Sequence, residues 1–167
     1  RTQYEPLMKA LLVKRYFTSN TCCQVSQELN ARNTLTVSIE LIPRVDGKND
    51  YSRKVISQCK DNEVPMFLEL LLMYRETYET RYHGSNKDKM VHLKNQTDGI
   101  FLFMREDKEN LQHTFVIQDE FRYELVILFA DVLAKRDGIG IDDVFNTIRL
   151  LATRRAQLGA NQTNTAT

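Results

Sequence analysis

Residues 121–135, FRYELVILFADVLAK, form a nearly all-apolar helical pattern that does most to decide the fold of this chain. Leu125, Leu128 and Val132 mark one face at helical spacing. Apolar residues such as Val126 lie off that face and leave little polar surface around the helix. We therefore predict a helix that is covered on several sides and lies at the centre of the structure.

A second, amphipathic helix is predicted over residues 142–158, DDVFNTIRLLATRRAQL, after a turn at Asp137-Gly138. Asp142 suits the start of this helix, because the N-terminal end of a helix carries partial positive charge. Gly159 is expected to stop the helix, since glycine readily adopts the left-handed conformation that ends helices.

The clearest strand pattern lies in residues 34–42, where apolar and polar residues alternate. Three more strands are predicted at residues 90–93, 99–104 and 112–117, the middle one nearly all apolar and so central. With the helices, these strands predict an α+β fold, a small and mostly antiparallel sheet packed by three or more helices. If the strands ran parallel, the alternative would be an α/β three-layer sandwich.

The first half of the chain carries less regular patterns. A short helix is predicted within residues 4–17, with a strand over residues 9–17 as the alternative, and a helical turn is predicted through residues 23–29. A short helix is predicted over residues 49–62. A strong helix is predicted over residues 65–82, because Pro65 suits a first helical position, where its missing N–H costs nothing.

The length of 167 residues predicts a single globular domain over residues 1–158 and a flexible polar tail over residues 159–167. The net charge is +1, because 23 Lys and Arg nearly cancel 22 Asp and Glu. This balance does not imply electrostatic steering of the whole molecule toward nucleic acid, and no apolar run is long enough for a membrane span. The first residue is not Met, so we expect a domain excised from a larger protein.

Cysteine usage favours a reducing compartment. Cys22 and Cys23 are adjacent and Cys59 stands alone, so a disulfide framework is not expected. The sequence therefore predicts an intracellular location, cytoplasmic or nuclear. Sequons at Asn95 and Asn161 are interpreted as chance occurrences.

The sequence lacks the motifs of known catalytic and metal chemistry. No Gly-x-Ser-x-Gly motif is present, and the cysteines lack a basic context that would activate a thiol. His83, His92 and His113 are far apart and belong to no metal-binding motif. The Gly-Ile-Gly at residues 138–140 follows a helix rather than a strand, which is the reverse of a dinucleotide site. We therefore predict a protein that is not an enzyme and has no catalytic residues, cofactor or metal.

An apolar run in the helix predicted over residues 65–82 favours a protein–protein interaction or assembly module. This run exceeds what one core face needs. We expect Leu70 or Leu71, together with Tyr74 or Tyr78, to contact another protein chain, either a second copy or a different protein. The sequence therefore predicts a soluble protein that forms a homodimer or a hetero-complex and does not contact a membrane.

An RNA-binding module is the first alternative. Tyrosines and arginines share the polar end of the same predicted helix, and such a mixture can stack on bases and contact phosphates. The possible contacts are Arg75, Arg81, Tyr82 and His83. The interleaved Glu76 supports the competing interpretation, a solvated helix end held by ion pairs.

A protease-like domain is the second alternative. An apolar strand at residues 98–104, a long helix at residues 121–136, a glycine-rich turn and Ile141-Asp-Asp-Val-Phe-Asn-Thr-Ile-Arg149 follow one another. This order resembles the small-subunit half of caspase-like proteases. The family's catalytic half needs a His-Gly turn and a later cysteine; His83-Gly84 is present, but no cysteine follows Cys59. The resemblance therefore implies a degenerate or incomplete caspase-like domain without catalytic residues.

Overall fold

A computed structural model describes residues 11–164 of the chain. The first half forms an antiparallel sheet in the strand order β1-β2-β3, with β4 and β5 both paired to β3. Its strands are β1 (Val13–Phe17), β2 (Thr21–Leu29), β3 (Leu35–Val45), β4 (Lys48–Asn49) and β5 (Val55–Gln58).

The second half forms another antiparallel sheet, in the sequential order β6-β7-β8-β9. Its strands are β6 (Thr77–His83), β7 (Lys89–Gln96), β8 (Gly99–Glu106) and β9 (Leu111–Gln118). The helices are α1 (Glu63–Leu71), α2 (Arg122–Asp137) and α3 (Ile141–Asn164). Each sheet is thus followed by a helix, α1 after the first and α2 after the second.

One hydrophobic core joins both sheets to α1 and α2. Ile100, Leu102 and Met104 of β8 are fully buried, because alternate residues of a strand point to the same face. Phe67 of α1 stacks on Phe129 of α2 with ring centroids 5.7 Å apart, which fixes the contact between the two helices. The helix over residues 122–137 therefore lies at the centre, as the sequence predicted.

The α+β class is confirmed, but the single small sheet of the prediction is replaced by two sheets with three helices. The α/β sandwich is wrong, because every strand pair in the described residues is antiparallel. The strands predicted at residues 34–42, 90–93, 99–104 and 112–117 are present as parts of β3, β7, β8 and β9.

Several helices predicted in the first half are wrong. Residues 13–17 form β1, in agreement with the alternative strand, while residues 4–10 of that prediction lie outside the described part. Residues 23–29 belong to β2, whose adjacent Cys22 and Cys23 are both buried, so this strand shows no simple alternation. Residues 49–62 contain a short 3₁₀ turn and β5 rather than a helix.

The helix predicted over residues 65–82 is present only as far as Leu71. Met73 has a left-handed backbone with φ of 63°, which an α-helix cannot continue through. The chain then pairs Thr77 and the residues after it with β7, so tertiary hydrogen bonds replace the helix.

The last helix is longer than predicted, because α3 continues through Gly159 to Asn164. Gly159 is therefore not a stop. Among residues 11–164, every helix is too short or too polar to cross a lipid bilayer.

Candidate nucleic-acid interface

The residues predicted to contact RNA do not share one helix face. Arg75 donates from Nε to Glu69 at 3.3 Å and lies over the ring of Tyr78. Arg81 and Tyr82 are on β6, where they remain exposed, and Arg81 is paired with Glu79. The helix face that motivated this prediction is therefore absent, although Arg81 stays at the surface of the second sheet.

His83 is buried and does not reach a solvent-facing site. Its Nε2 atom lies 2.8 Å from Oε1 of Glu63, and that carboxylate oxygen also accepts from the backbone N–H of Lys60 at 2.7 Å. Burial raises the pKa of the Cys59 thiol well above its usual range, and the nearby Glu63 carboxylate acts in the same direction. A thiol held protonated is a weak nucleophile, so this environment does not activate Cys59.

Most of the residues predicted to contact another protein chain instead pack against residues of this domain. Leu70 and Leu71 are buried in the core, and Tyr78 meets Phe67 edge to ring at 5.1 Å. Tyr74 alone of the four is well exposed. The apolar residues of α1 exceed one helix face because α1 packs against α2 on one side and against the second sheet on the other.

The outer face of the second sheet carries two aromatic rings side by side. Because Ile100, Leu102 and Met104 point into the core, Phe101 and Phe103 of β8 point to the opposite face. Both phenylalanine side chains are half-buried rather than fully covered. The apolar pattern of residues 99–104 predicts a central strand, and nothing in that pattern indicates that two of its rings lie on an open face.

Polar and basic residues flank these rings in the neighbouring strands. Phe101 is in register with Lys94 of β7 and Val116 of β9. Phe103 is in register with His92 and Thr114. The signal that could have found this face is therefore cross-strand: two rings two residues apart, with polar residues opposite both rings on β7 and opposite Phe103 on β9.

The charges of the outer face leave one lysine for a ligand. Glu79 pairs with Arg81 at 2.8 Å and lies 3.6 Å from His92. Arg105 pairs with Asp107 at 2.7 Å. Lys94 is exposed and has no ion-pair partner in the described part of the chain. A phosphate beside Phe101 would therefore meet an uncompensated ammonium group.

A cleft of about 750 Å³ opens beside Phe101, between the outer face and the turn that joins β1 to β2. Its hydrogen-bonding groups are Thr18 and Asn20 of that turn, Thr21 at the start of β2, Thr114 and Gln118 of β9, and the carboxylates of Asp98 and Glu120. This chemistry suits the edges of a planar polar ligand. No group of three metal-ligating side chains occurs within residues 11–164.

The fold and this face define a class: an α+β protein with two antiparallel sheets, each followed by a helix, and an aromatic pair on the open face of the second sheet. The fold is similar to that of a chain in the crystal structures of Trypanosoma bruciei MRP1/MRP2, with a TM-score of 0.54 over 76% of this chain and 94% of that chain. The two sequences are 10% identical, so the likeness concerns the fold alone. No protein-family model and no curated protein matches the sequence.

Proposed function

We propose that this domain is a non-enzymatic module that binds single-stranded RNA across the outer face of its second sheet. The observation that carries the proposal is the pair Phe101 and Phe103, half-exposed on a central strand beside the unpaired Lys94. Residues two apart on a strand are separated by roughly 7 Å, so each ring can take a separate base. Sheets that present aromatic rings in this way bind unpaired bases by stacking.

The near-neutral charge of the chain supports stacking rather than phosphate contact as the main source of affinity. Lys94 and a few partly compensated cations would release only about two counterions, which gives a slope of log affinity against log salt near −1.4 for a single strand. A duplex hides its bases and would find little charge to bind. We therefore expect a preference for single strands and a shallow salt dependence.

The test is fluorescence anisotropy with a labelled single-stranded oligouridylate of about 12 nucleotides, a length within the range that sheet-based binding sites cover. The double variant F101A/F103A is expected to weaken binding at least about tenfold, because each stacked base contributes about 1–3 kcal/mol. K94E should weaken binding and make the slope of log affinity against log salt shallower by about 0.7, the contribution of one phosphate contact.

Two control variants match these changes elsewhere on the surface. Y123A removes an exposed ring from α2, and K48E reverses an exposed charge on β4. Both should bind RNA as the wild type does. Equal affinity of F101A/F103A and wild type, with unchanged circular dichroism, would overturn the proposal, as would tighter binding of duplex than of single-stranded RNA.

The location proposed for this function is intracellular. Cys22, Cys23 and Cys59 are all free and buried, which suits a reducing compartment. The side-chain amide of Asn95 donates to the backbone carbonyls of Leu70 and Arg75, both at 2.9 Å. A glycan on this nitrogen would disrupt those hydrogen bonds, which supports interpreting the Asn95 sequon as unused.

An assembly function is the second candidate, and a different surface favours it. Leu150, Leu151 and Leu158 of α3 are exposed, whereas Leu70 and Leu71 are not.

A further inference from the structure

We infer that α3 is the self-association surface of this protein, and that two copies pair their α3 helices antiparallel about a two-fold axis. The inference names the partner for the assembly function and rests on that proposal. It is independent of RNA binding and can be tested without RNA.

The α3 helix is longer than α2, so α2 does not cover its whole length. The α2 helix has 16 residues and α3 has 24, which correspond to roughly 24 Å and 36 Å. Val144, Ile148 and Ala152 are the buried residues of α3, at spacings of four, and α3 contacts α2. Side chains 153–158 are all exposed.

A second face of α3 is exposed and partly apolar. Residues at spacings of three, four and seven share one side of a helix. The residues that share this face are Asp143, Thr147, Leu150, Leu151, Arg154 and Leu158. Leu151 is 54% exposed and Leu158 is 63% exposed, although both are large apolar side chains. Water contact with such a stripe is unfavourable, so a partner that covers it would be stabilising.

The charges on this face select a second copy as the partner. Asp143 lies near the start of α3, and Arg154 lies eleven residues later, about 16 Å along the axis. Within residues 11–164 neither side chain has an ion-pair partner. In a two-fold interface, residue i meets residue j and residue j meets residue i. An antiparallel pair therefore places each Asp143 opposite an Arg154 of the other copy.

The same register covers exposed leucines of this face. With the two-fold axis between residues 148 and 149, Leu150 faces Thr147 of the other copy near the centre. Leu158 faces Ile139, which precedes α3 and is 43% exposed. Two Asp143–Arg154 ion pairs and two Leu158–Ile139 contacts thus follow from one register, in which Leu151 lies opposite Asn146. A parallel pair would instead place Asp143 against Asp143 and Arg154 against Arg154, which is repulsive.

The test uses sedimentation velocity on the full chain, without RNA, from about 1 to 100 μM, which spans the usual range of specific dissociation constants. The sedimenting mass of the wild-type protein should rise from that of one chain, 19.5 kDa, to that of two chains as concentration rises. The double variant L151E/L158E should remain monomeric. A strictly monomeric wild type would overturn the inference.

Charge reversal tests the register. D143R and R154D should each raise the dissociation constant at least about tenfold, because each creates like-charge contacts twice across the axis. The combined variant D143R/R154D should recover the wild-type constant to within about threefold. An equimolar mixture of the two single variants should associate, because their charges are complementary.

Matched controls are present on the opposite side of α3. Asp142 and Arg149 are also exposed, but they lie away from the proposed face. D142R changes the charge at the helix start as D143R does, and R149D corresponds to R154D. Both controls should associate like the wild type. Association that is lost equally in D142R and D143R, or no recovery in D143R/R154D, would overturn the antiparallel register.

Discussion

Arg122 at the start of α2 ties four parts of the chain together, and its replacement is the most informative stability experiment. Its Nη1 atom donates to the Leu71 carbonyl at 3.0 Å and to Oδ1 of Asn95 at 2.9 Å. Its Nε atom donates to Asp119 at 2.8 Å. The same Asn95 donates to the carbonyl of Leu70, so one network joins α1, β7 and α2.

The variant R122M keeps the length and apolar stem of the side chain and removes all three donated hydrogen bonds. The Leu71 carbonyl and the Asn95 Oδ1 atom then lose a buried donor, at a cost of about 1–3 kcal/mol each. Asp119 is 57% exposed, so water can solvate its carboxylate and its loss of a partner adds little. We expect the free energy of unfolding to fall by about 2–5 kcal/mol, a large part of the total for a domain of this size.

The measurement is urea unfolding followed by circular dichroism. R32M is the matched control, because Arg32 pairs with Asp61 at the surface with 74% and 47% of the two side chains exposed. That pair should contribute less than about 1 kcal/mol. The free energy of unfolding of R122K should lie between those of R122M and wild type, since an ammonium group cannot reproduce the planar set of hydrogen bonds that a guanidinium group donates. A loss below about 1 kcal/mol in R122M, equal to that in R32M, would refute the assignment of Arg122 as a structural junction.

Two further predictions concern backbone strain and pH. In G99A, the new Cβ would lie 2.0 Å from the Ile117 carbonyl oxygen at a φ of 151°. The free energy of unfolding should therefore fall by about 3 kcal/mol or more, measured as a lower Tm. In G47A the new Cβ would have nothing within 4 Å, so the loss of stability should be smaller, and equal losses in the two variants would contradict the clash. Burial raises the pKa of Tyr78 to about 12, and the nearby Glu63 adds to this, so the stability from Tyr78 is complete below the unfolded pKa near 10 and is lost as pH rises toward 12. Absorbance titration should show one fewer late-ionising tyrosine in Y78F than in wild type, because burial also raises the pKa of Tyr16 and that residue ionises late in both proteins. If Y78F instead loses a tyrosine that ionises near pH 10, the burial of Tyr78 is contradicted.

The sequence predicted the elements whose pattern is local and unambiguous. Residues 121–135 and 142–158 are helices because apolar residues recur at helical spacing. Residues 35–42 form a strand, as their alternation predicted, although both faces of that strand are buried and not the apolar face alone. The segment after Leu71 was predicted wrongly, because pairing with β7 is a contact between distant residues and outweighs the local helical preference.

The candidate site depended still more on tertiary structure. Phe101 is part of an apolar run, and nothing in that run alone says which of its residues face the core. Only pairing with β7 and β9 places Lys94 and Val116 beside it and leaves its ring on an open face. The sequence by itself therefore determined the α+β class and the two C-terminal helices, whose periodicity is set by neighbours along the chain. The tertiary structure decided the two-sheet architecture, the aromatic pair and the exposed side of α3, because each depends on which distant segment covers a given face.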